Sequence, residues 1–194
     1  MELILASASP RRRELLGLIT PDFRVETAGV EEQLPEGIPP QLAVQQLSRR
    51  KAQALRRSRR EQGLAEAVIL GADTVVAVDR RILGKPRDAE EAAAMLRLLS
   101  GREHSVYTGV TLLAAEREEA FVQETKVRFY PLTEEEIAAY IATGEPFDKA
   151  GGYGIQGRGS MLVWGITGDY FNVVGLPVAR VARLLKKLWK NGEN

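Results

Sequence analysis

The chain has 194 residues, of which 44% are hydrophobic and 27% are charged, the composition of an ordinary folded soluble protein. This length suits one substantial domain or two small ones that share an interface, and it allows a proper buried core. The 27 lysines and arginines against 26 acids leave a net charge of +1, which argues against binding of nucleic acid through bulk charge. Cysteine is absent, so disulfides, thiolate zinc sites and cysteine nucleophiles are excluded.

The sequence gives no sign of a membrane or export segment. No apolar run approaches the roughly 20 residues that a membrane-spanning helix needs. The first 16 residues, MELILASASPRRRELL, hold their positive charges after a short apolar stretch, whereas a secretory signal holds them before it. We therefore expect a cytoplasmic protein without membrane contacts.

The first part of the chain predicts strands and helices in alternation. Residues 2–6 predict a short buried strand. Ser9 followed by Pro10 predicts the start of a helix, because the hydroxyl can cap it and proline lacks only an N–H that would stay unbonded there. Residues 41–62 have the apolar spacing of a helix. Residues 67–78 are almost all apolar and predict either a strand pair or one kinked strand.

The second part continues the alternation and indicates an α/β fold with a partly antiparallel sheet. Capping boxes, in which a side chain caps a helix and a Glu three residues later binds back, mark two helix starts. The predicted elements are a helix over 89–99 from Asp88 and Glu91 to Gly101, strands over 105–114 and 120–130, a helix from Thr133 and Glu136 to Gly144, a segment rich in glycine and aromatic residues over 145–175, and an amphipathic helix over 177–190.

Three arginines, Arg11, Arg12 and Arg13, occupy the first turn of the first predicted helix. A helix N-terminus favours phosphate through its free N–H groups and its partial positive charge. Arginine is unfavourable at that end unless an anion compensates it, and its planar donors grip phosphate oxygens well. The alternative interpretation is three exposed arginines on an ordinary helix.

Asp73 stands alone as an acid within the apolar residues 68–78. A carboxylate in a buried strand is costly unless it is paired, hydrogen-bonded or bound to a metal. Such acids concentrate at functional sites, and the alternative is a structural acid paired with a lysine or arginine. Gly71, two residues earlier, permits a close backbone approach.

Other candidate residues are weak when each is taken alone. Glu32, Lys51 and Lys85 lie in polar surroundings, and Lys51 is most simply explained as part of a solvated helix face. The arginine-rich residues 56–60 are expected to face solvent at a helix end. The alternative is a nucleic-acid patch, which no interleaved aromatic residues support. His104, the single histidine, is expected to be a packing or surface residue, since it has no partner for a usual zinc site.

Residues 145–157, EPFDKAGGYGIQG, are dense in glycine. Glycine lets backbone groups approach a ligand and adopts positive φ without strain. Tyr153 or Phe147 could contact a base, and Gln156 could read its edge. The alternative is a flexible surface loop.

Together these segments resemble the Maf family of nucleoside triphosphate pyrophosphatases. The resemblance covers essentially the whole chain in order. It rests on LASASPRR at 5–12, SRRKA at 48–52, GADTVV at 71–76, GKP at 84–86 and the segment at 145–157. The form FDKAGGYGIQG at 147–157 resembles the subgroup that acts on dTTP and UTP, and the sister subgroup that prefers 7-methyl-GTP differs there.

The resemblance implies an α/β fold of the inosine-triphosphate-pyrophosphatase type, in one domain over residues 1–194. That fold has a mixed twisted sheet with flanking helices and two lobes around a cleft. The resemblance also implies a homodimer and a divalent metal cofactor, Mg²⁺ or Mn²⁺. We expect no stable nucleic-acid complex.

The resemblance also assigns roles by position. Asp73 corresponds to the proton acceptor, and the specificity positions are Arg11, Thr74 and Gln156. The remaining substrate-binding positions are Arg12, Glu32, Lys51 and Lys85. Glu31 is the alternative to Glu32 for the same substrate-binding position. The spacing to Arg12 and Lys51 favours Glu32. Asp73 and Glu32 carry the oxygen ligands that Mg²⁺ prefers.

The expected reaction splits dTTP or UTP into the monophosphate and pyrophosphate. Asp73 would accept the proton of the attacking water or hold that water through the metal, and the basic residues would neutralise the triphosphate. The family roles would be removal of non-canonical nucleotides and arrest of cell division. One alternative is a pyrophosphatase for another nucleotide, such as CTP or a modified base. Another is a regulator of division that binds nucleotide or nucleic acid without turnover.

Overall fold

The computed structural model describes residues 2–115 and 117–190. The strands are β1 (Leu3–Ala6), β2 (Arg24–Glu26), β3 (Val68–Val78), β4 (Arg81–Leu83), β5 (Glu103–Ala114), β6 (Arg117–Phe129) and β7 (Val163–Thr167). The helices are α1 (Pro10–Gly17), α2 (Pro40–Glu61), α3 (Ala89–Leu99), α4 (Glu134–Ile141), α5 (Tyr170–Val174) and α6 (Val178–Lys190). Three short 3-10 segments lie between α4 and β7, at Glu145–Asp148, Ala150–Gly152 and Gly157–Leu162.

The strands form a mixed sheet with the order β2-β1-β3-β5-β6-β7, and β4 pairs with β3 outside this path. β1 is parallel to both neighbours, so that Ile4 lies opposite Arg24 on one side and Ile69 on the other. β4 runs antiparallel to β3, and β7 runs antiparallel to β6 with Ile166 opposite Val127. The predicted α/β class with a mixed sheet and flanking helices is confirmed.

The described residues divide into two compact units. The first contains residues 2–73, 108–123 and 175–190, and the second contains residues 74–107 and 124–174. The single domain over residues 1–194 and the cleft between two lobes stay predictions. Within the described ranges, no helix is both long enough and apolar enough to cross a membrane.

α2 lies unusually close to the sheet in the first unit. A Cβ atom at Gly71 of β3 would lie 2.3 Å from the carbonyl oxygen of Ser48, and one at Gly109 of β5 would lie 2.3 Å from that of Val44. Any side chain at either position would therefore push the helix away. The Ser48 hydroxyl also hydrogen-bonds the Thr111 hydroxyl at 2.9 Å. The close approach that Gly71 predicted is confirmed, and the approaching backbone is that of the chain itself.

The segment over residues 67–78 forms one strand, β3, and not a strand pair. The chain leaves β3 through Asp79 and Arg80, which adopt φ values of 51° and 64°. This left-handed turn returns the chain directly into β4, which pairs with the end of β3.

Two of the predicted helix starts have the expected caps. The Ser9 hydroxyl accepts the backbone N–H of Arg12 at the start of α1. At the start of α4, Thr133 accepts the N–H of Glu136, and the Glu136 carboxylate accepts the N–H of Thr133. Each cap satisfies backbone donors that have no partner within the helix.

The capping box predicted at α3 is only half present. Asp88 accepts the N–H of Glu91 at 2.8 Å. The Glu91 carboxylate, however, accepts from the backbone N–H and the Nε of Arg87 at 2.8 Å and 3.0 Å. The guanidinium offers a charge-assisted bond in addition to a backbone donor, so it outcompetes the cap.

His104 lies in the core of the second unit, among aromatic side chains. Its Nε2 forms a 2.7 Å hydrogen bond with the Tyr153 hydroxyl, and its ring meets Phe129 and Tyr153 edge to face. Burial lowers the pKa of His104 to about 4. A neutral imidazole therefore packs here at physiological pH, as the sequence predicted.

His104 should make stability depend on pH in a defined way. An unfolded histidine binds a proton near pH 6.5, whereas folded His104 stays neutral down to about pH 4, so unfolding takes up a proton in this range and stability falls with pH. From pH 7 to pH 4 this loss amounts to about 3 kcal/mol. The variant His104→Gln keeps hydrogen-bonding groups but does not titrate. Urea unfolding should show the advantage of the wild type over this variant shrinking towards pH 4, and parallel pH profiles would contradict the assignment.

Candidate active site

Lys51 holds two carboxylates together in the first unit. Its Nζ donates to Oδ1 of Asp73 at 2.6 Å and lies 2.7 Å from Oε1 of Glu32. Lys51 projects from α2, Asp73 from the buried strand β3, and Glu32 from the segment before α2. The alternative that placed Lys51 on a solvated helix face is therefore wrong, and Glu32, the preferred residue of the Glu31–Glu32 pair, is the one that joins Lys51.

The position of Gly71 explains why this cluster forms. Gly71 and Asp73 are two residues apart in β3 and so lie on the same face of the sheet. The close contact of α2 at Gly71 brings the next turn of the helix, with Lys51, over Asp73. A purely structural role for Asp73 also predicted a pairing with a lysine or arginine. The contact with Lys51 is therefore compatible with a structural role and with a catalytic role.

Arg12 lies half-buried beside the two carboxylates. Its Nε donates to the carbonyl oxygen of Gly175 at 2.9 Å, and its Nη1 donates to the Ser7 hydroxyl at 3.4 Å. Burial lowers the pKa of Arg12; the charge of Asp73 opposes this shift, that of Arg11 adds to it, and that of Glu32 opposes it. Asp73 and Glu32 thus supply part of the negative charge that compensates the arginines at the start of α1. Sequence reasoning missed Gly175, because only the fold brings its carbonyl to Arg12.

The other two arginines of α1 have different surroundings. Arg11 is half-buried, whereas Arg13 is exposed. Arg13 lines a cavity of about 720 Å³ along α1, together with Ser7, Ser9 and Phe23. The cavity follows the side of α1 that carries Arg13, and its lining does not include Lys51, Asp73 or Glu32.

The remaining predicted site residues belong to the second unit. Thr74 follows Asp73 in β3 and is half-buried, whereas Lys85 and Gln156 are exposed. A backbone hydrogen bond joins the segments that contain Lys85 and Gln156. In this bond the N–H of Gly151 donates to the carbonyl oxygen of Gly84 at 2.9 Å. The GKP motif and the glycine-rich segment therefore lie side by side.

The glycine-rich segment is built into the core of the second unit, which contradicts the alternative of a flexible loop. Gly151, at φ 72°, leaves no room for a side chain, because its Cβ would lie 2.9 Å from the side chain of Val76. Tyr153 is 4% exposed and bonded to His104, so the prediction that it contacts a base is wrong. Phe147 is 40% exposed and stays a candidate for that contact.

The arginine-rich end of α2 binds the chain itself. Arg59 is 7% exposed and forms ion pairs with Glu26 at 2.7 Å and Glu2 at 3.0 Å. Arg56 donates to the carbonyl oxygen of Ala115 at 3.3 Å. The prediction that this cluster faces solvent is wrong for Arg59, which ties α2 to the strands β1 and β2.

The donor set fits a hard divalent cation if the substrate supplies further ligands. Asp73 and Glu32 present carboxylate oxygens, the donors that Mg²⁺ and Mn²⁺ take, and Lys51 already holds them near each other. Among the residues that the structure describes, no group of three or more histidines and acids could hold a metal ion. Phosphate oxygens and water would have to complete the coordination shell.

Comparison with known proteins identifies the family of this chain. The sequence profile of the family described as Maf-like protein matches residues 2–188, and the chain therefore belongs to the Maf family. It is 53% identical to the dTTP/UTP pyrophosphatase of Geobacillus sp. (strain WCH70), over 96% of this chain and 98% of that one. It is 55% identical to the dTTP/UTP pyrophosphatase of Carboxydothermus hydrogenoformans, over the same shares. The solved structure of the Staphylococcus aureus Ham1 protein matches 68% of this chain and 73% of its own at 13% identity, with a TM-score of 0.49.

The contact at Gly71 generates a stability prediction. In Gly71→Ala the new methyl group meets the Ser48 carbonyl, so α2 must move, which should lower the free energy of unfolding by about 1–3 kcal/mol. Gly17→Ala is the matched control, because a Cβ there would meet no atom within 4 Å beyond its neighbouring residues and the backbone of its own helix. Chemical denaturation should leave that control within about 1 kcal/mol of the wild type. Equal stability of the two variants would show that α2 does not need the glycine.

Proposed function

We propose that this chain hydrolyses dTTP and UTP to the nucleoside monophosphate and pyrophosphate. The observation that carries the proposal is the half-buried cluster in which Lys51 joins Asp73 and Glu32 beside Arg12. Relatives named dTTP/UTP pyrophosphatase, at 53% and 55% identity over nearly the full length, support the same reaction.

Asp73 is the proposed proton acceptor for the attacking water. The Lys51 ammonium donates to Oδ1 and so fixes the direction of the carboxylate. Among the described residues no partner holds Oδ2, so this oxygen is free to take the proton. General-base assistance of this kind accelerates reactions by about 10²–10⁴-fold.

Basic residues are proposed to neutralise the charge that the reaction moves onto pyrophosphate. Arg11, Arg12 and Lys51 lie in the first unit, and Lys85 lies in the second. Fixed positive charge at the leaving phosphates is the main catalytic demand of phosphoryl transfer. Thr74, together with Arg11 and Gln156, is proposed to select the substrate.

A divalent metal, Mg²⁺ or Mn²⁺, is proposed to bind Asp73 and Glu32. When bound, the metal would supply a Lewis acid that withdraws charge from phosphate oxygens. Lys51 already holds the two carboxylates near each other in the free protein.

The cellular setting is also part of the proposal. We expect a cytoplasmic homodimer without a stable nucleic-acid complex, since the net charge is only +1. Its roles would be removal of non-canonical nucleotides and arrest of cell division.

Pyrophosphate release from a nucleotide panel tests the reaction. Purified protein with Mg²⁺ or Mn²⁺ should act on dTTP and UTP more rapidly than on CTP, ATP and GTP. Preference for CTP would favour the other-nucleotide alternative. Nucleotide binding without any release would favour a regulator without turnover.

Asp73→Asn should lower kcat by about 10²-fold or more with the fold intact, because it keeps the size of the side chain and removes its charge. Asp22→Asn is the matched control, since Asp22 is exposed and outside the cluster. Rates of pyrophosphate release and circular dichroism measure the two effects. Near-native turnover in folded Asp73→Asn would make Asp73 a structural acid.

Gln156→Ala should reduce the preference for UTP over CTP more than it weakens triphosphate binding. A glutamine amide can donate to a uracil carbonyl and accept from its N3–H, whereas cytosine presents an acceptor at N3 and an amino group beside it. The mismatch leaves polar groups unpaired at about 1–3 kcal/mol each. The measurement is kcat/KM for UTP and CTP on both proteins, and an unchanged ratio would remove Gln156 from base recognition.

A further inference from the structure

Gln156 makes no side-chain hydrogen bond to the residues that the structure describes, although its backbone begins a helical turn. It occupies the N-cap position of the 3-10 segment Gly157–Leu162, yet its side chain makes no capping hydrogen bond. Within residues 2–115 and 117–190, no partner holds its amide. An N-cap side chain ordinarily satisfies the first backbone donors of the following turn. Some other group must therefore do so here.

That group is the carboxylate of Glu145. Its Oε1 accepts the N–H of Arg158 at 3.1 Å, and its Oε2 accepts the N–H of Gly159 at 3.3 Å. These are the donors that a capping side chain of Gln156 would have reached. Glu145 thus caps the turn from a position eleven residues before Gln156.

Gly157 allows the carboxylate to come this close. Its φ is 62°, and a Cβ there would lie 2.8 Å from Oε1 of Glu145. Glu145 is itself held at its backbone, where the ammonium of Lys149 donates to its carbonyl oxygen at 2.6 Å. The Tyr140 hydroxyl hydrogen-bonds the Glu145 side chain and accepts the N–H of Gly154 at 3.1 Å.

We propose that Glu145 is a positioning residue for base selection: it caps the turn after Gln156 and so leaves the Gln156 amide free for the pyrimidine edge. This inference rests on the proposed function. Without Glu145, the N–H groups of Arg158 and Gly159 lose their acceptor within the protein, and the side chain at the N-cap position that could replace it is that of Gln156. The amide would then be withdrawn from the base.

The test compares kcat/KM for UTP and CTP in single and double variants. Glu145→Ala should lower the UTP/CTP ratio by about five- to tenfold, the equivalent of one net hydrogen bond. Glu145→Gln keeps one acceptor and should give an intermediate ratio. Glu134→Ala is the matched control, since it removes an exposed acid of the same unit, one that pairs with Arg97. Its ratio should equal that of the wild type.

A double-mutant cycle separates positioning from general stability. If Glu145 acts through Gln156, then Glu145→Ala should change the ratio strongly in the wild type and hardly at all in Gln156→Ala. Equal losses for UTP and CTP in Glu145→Ala and Glu145→Gln would overturn the proposal and make Glu145 a structural residue only.

Hydrogen exchange gives a readout that needs no turnover. The amides of Arg158 and Gly159 should exchange slowly in the wild type, faster in Glu145→Ala, and fastest in the Glu145→Ala/Gln156→Ala double variant, where no side chain can cap them. If these amides exchange at equal rates in the single and double variants, the Gln156 amide does not replace Glu145 as the cap, and the proposal is wrong. A wild type without UTP hydrolysis would instead refute the proposed function, and the exchange result would stand apart from it.

Discussion

The first unit depends on the contact between the backbone of α2 and the sheet. Gly71 and Gly109 let two helix carbonyls come within 2.3 Å of where Cβ atoms would lie. This spacing decides how far the Lys51 ammonium reaches, and the ammonium reaches Asp73 at 2.6 Å. A buried carboxylate without such a partner would be strongly destabilising, so the glycines, the lysine and the acid form one constraint.

The resulting cluster is close to charge balance before any ligand binds. Two carboxylates, Asp73 and Glu32, lie near Lys51 and Arg12, and the charge of Arg11 also acts on Arg12. A triphosphate brings several negative charges, more than this small excess of positive charge compensates. Additional positive charge is therefore needed when substrate binds, and this is the role proposed for the divalent metal.

Sequence patterns predicted the features that depend on near neighbours and missed those that depend on the fold. The helix predicted over 89–99 has those bounds in the structure, because its start and stop signals lie within one turn of its ends. The strands β2 and β7 were missed, since both are short, half-exposed edge strands whose partners are distant in sequence. In the site, Asp73 stands out by its charge among apolar residues, whereas the link of Lys51 and Glu32 to it needed the resemblance and then the structure. Tyr153 was misjudged because an aromatic in a glycine-rich segment is equally explained by a ligand contact or by the core.

Two residues to which function is proposed break a local structural rule. Asp73 puts a charge inside a buried strand, and Gln156 occupies an N-cap without capping. In each case another residue compensates from a distance: Lys51 neutralises the acid, and Glu145 satisfies the turn. In most of a folded chain, local structural preferences agree with the fold. A conflict that a distant residue compensates therefore indicates a functional requirement other than stability. The compensation keeps one oxygen of Asp73 and the amide of Gln156 available, which are the groups that the proposed proton transfer and the proposed base reading require.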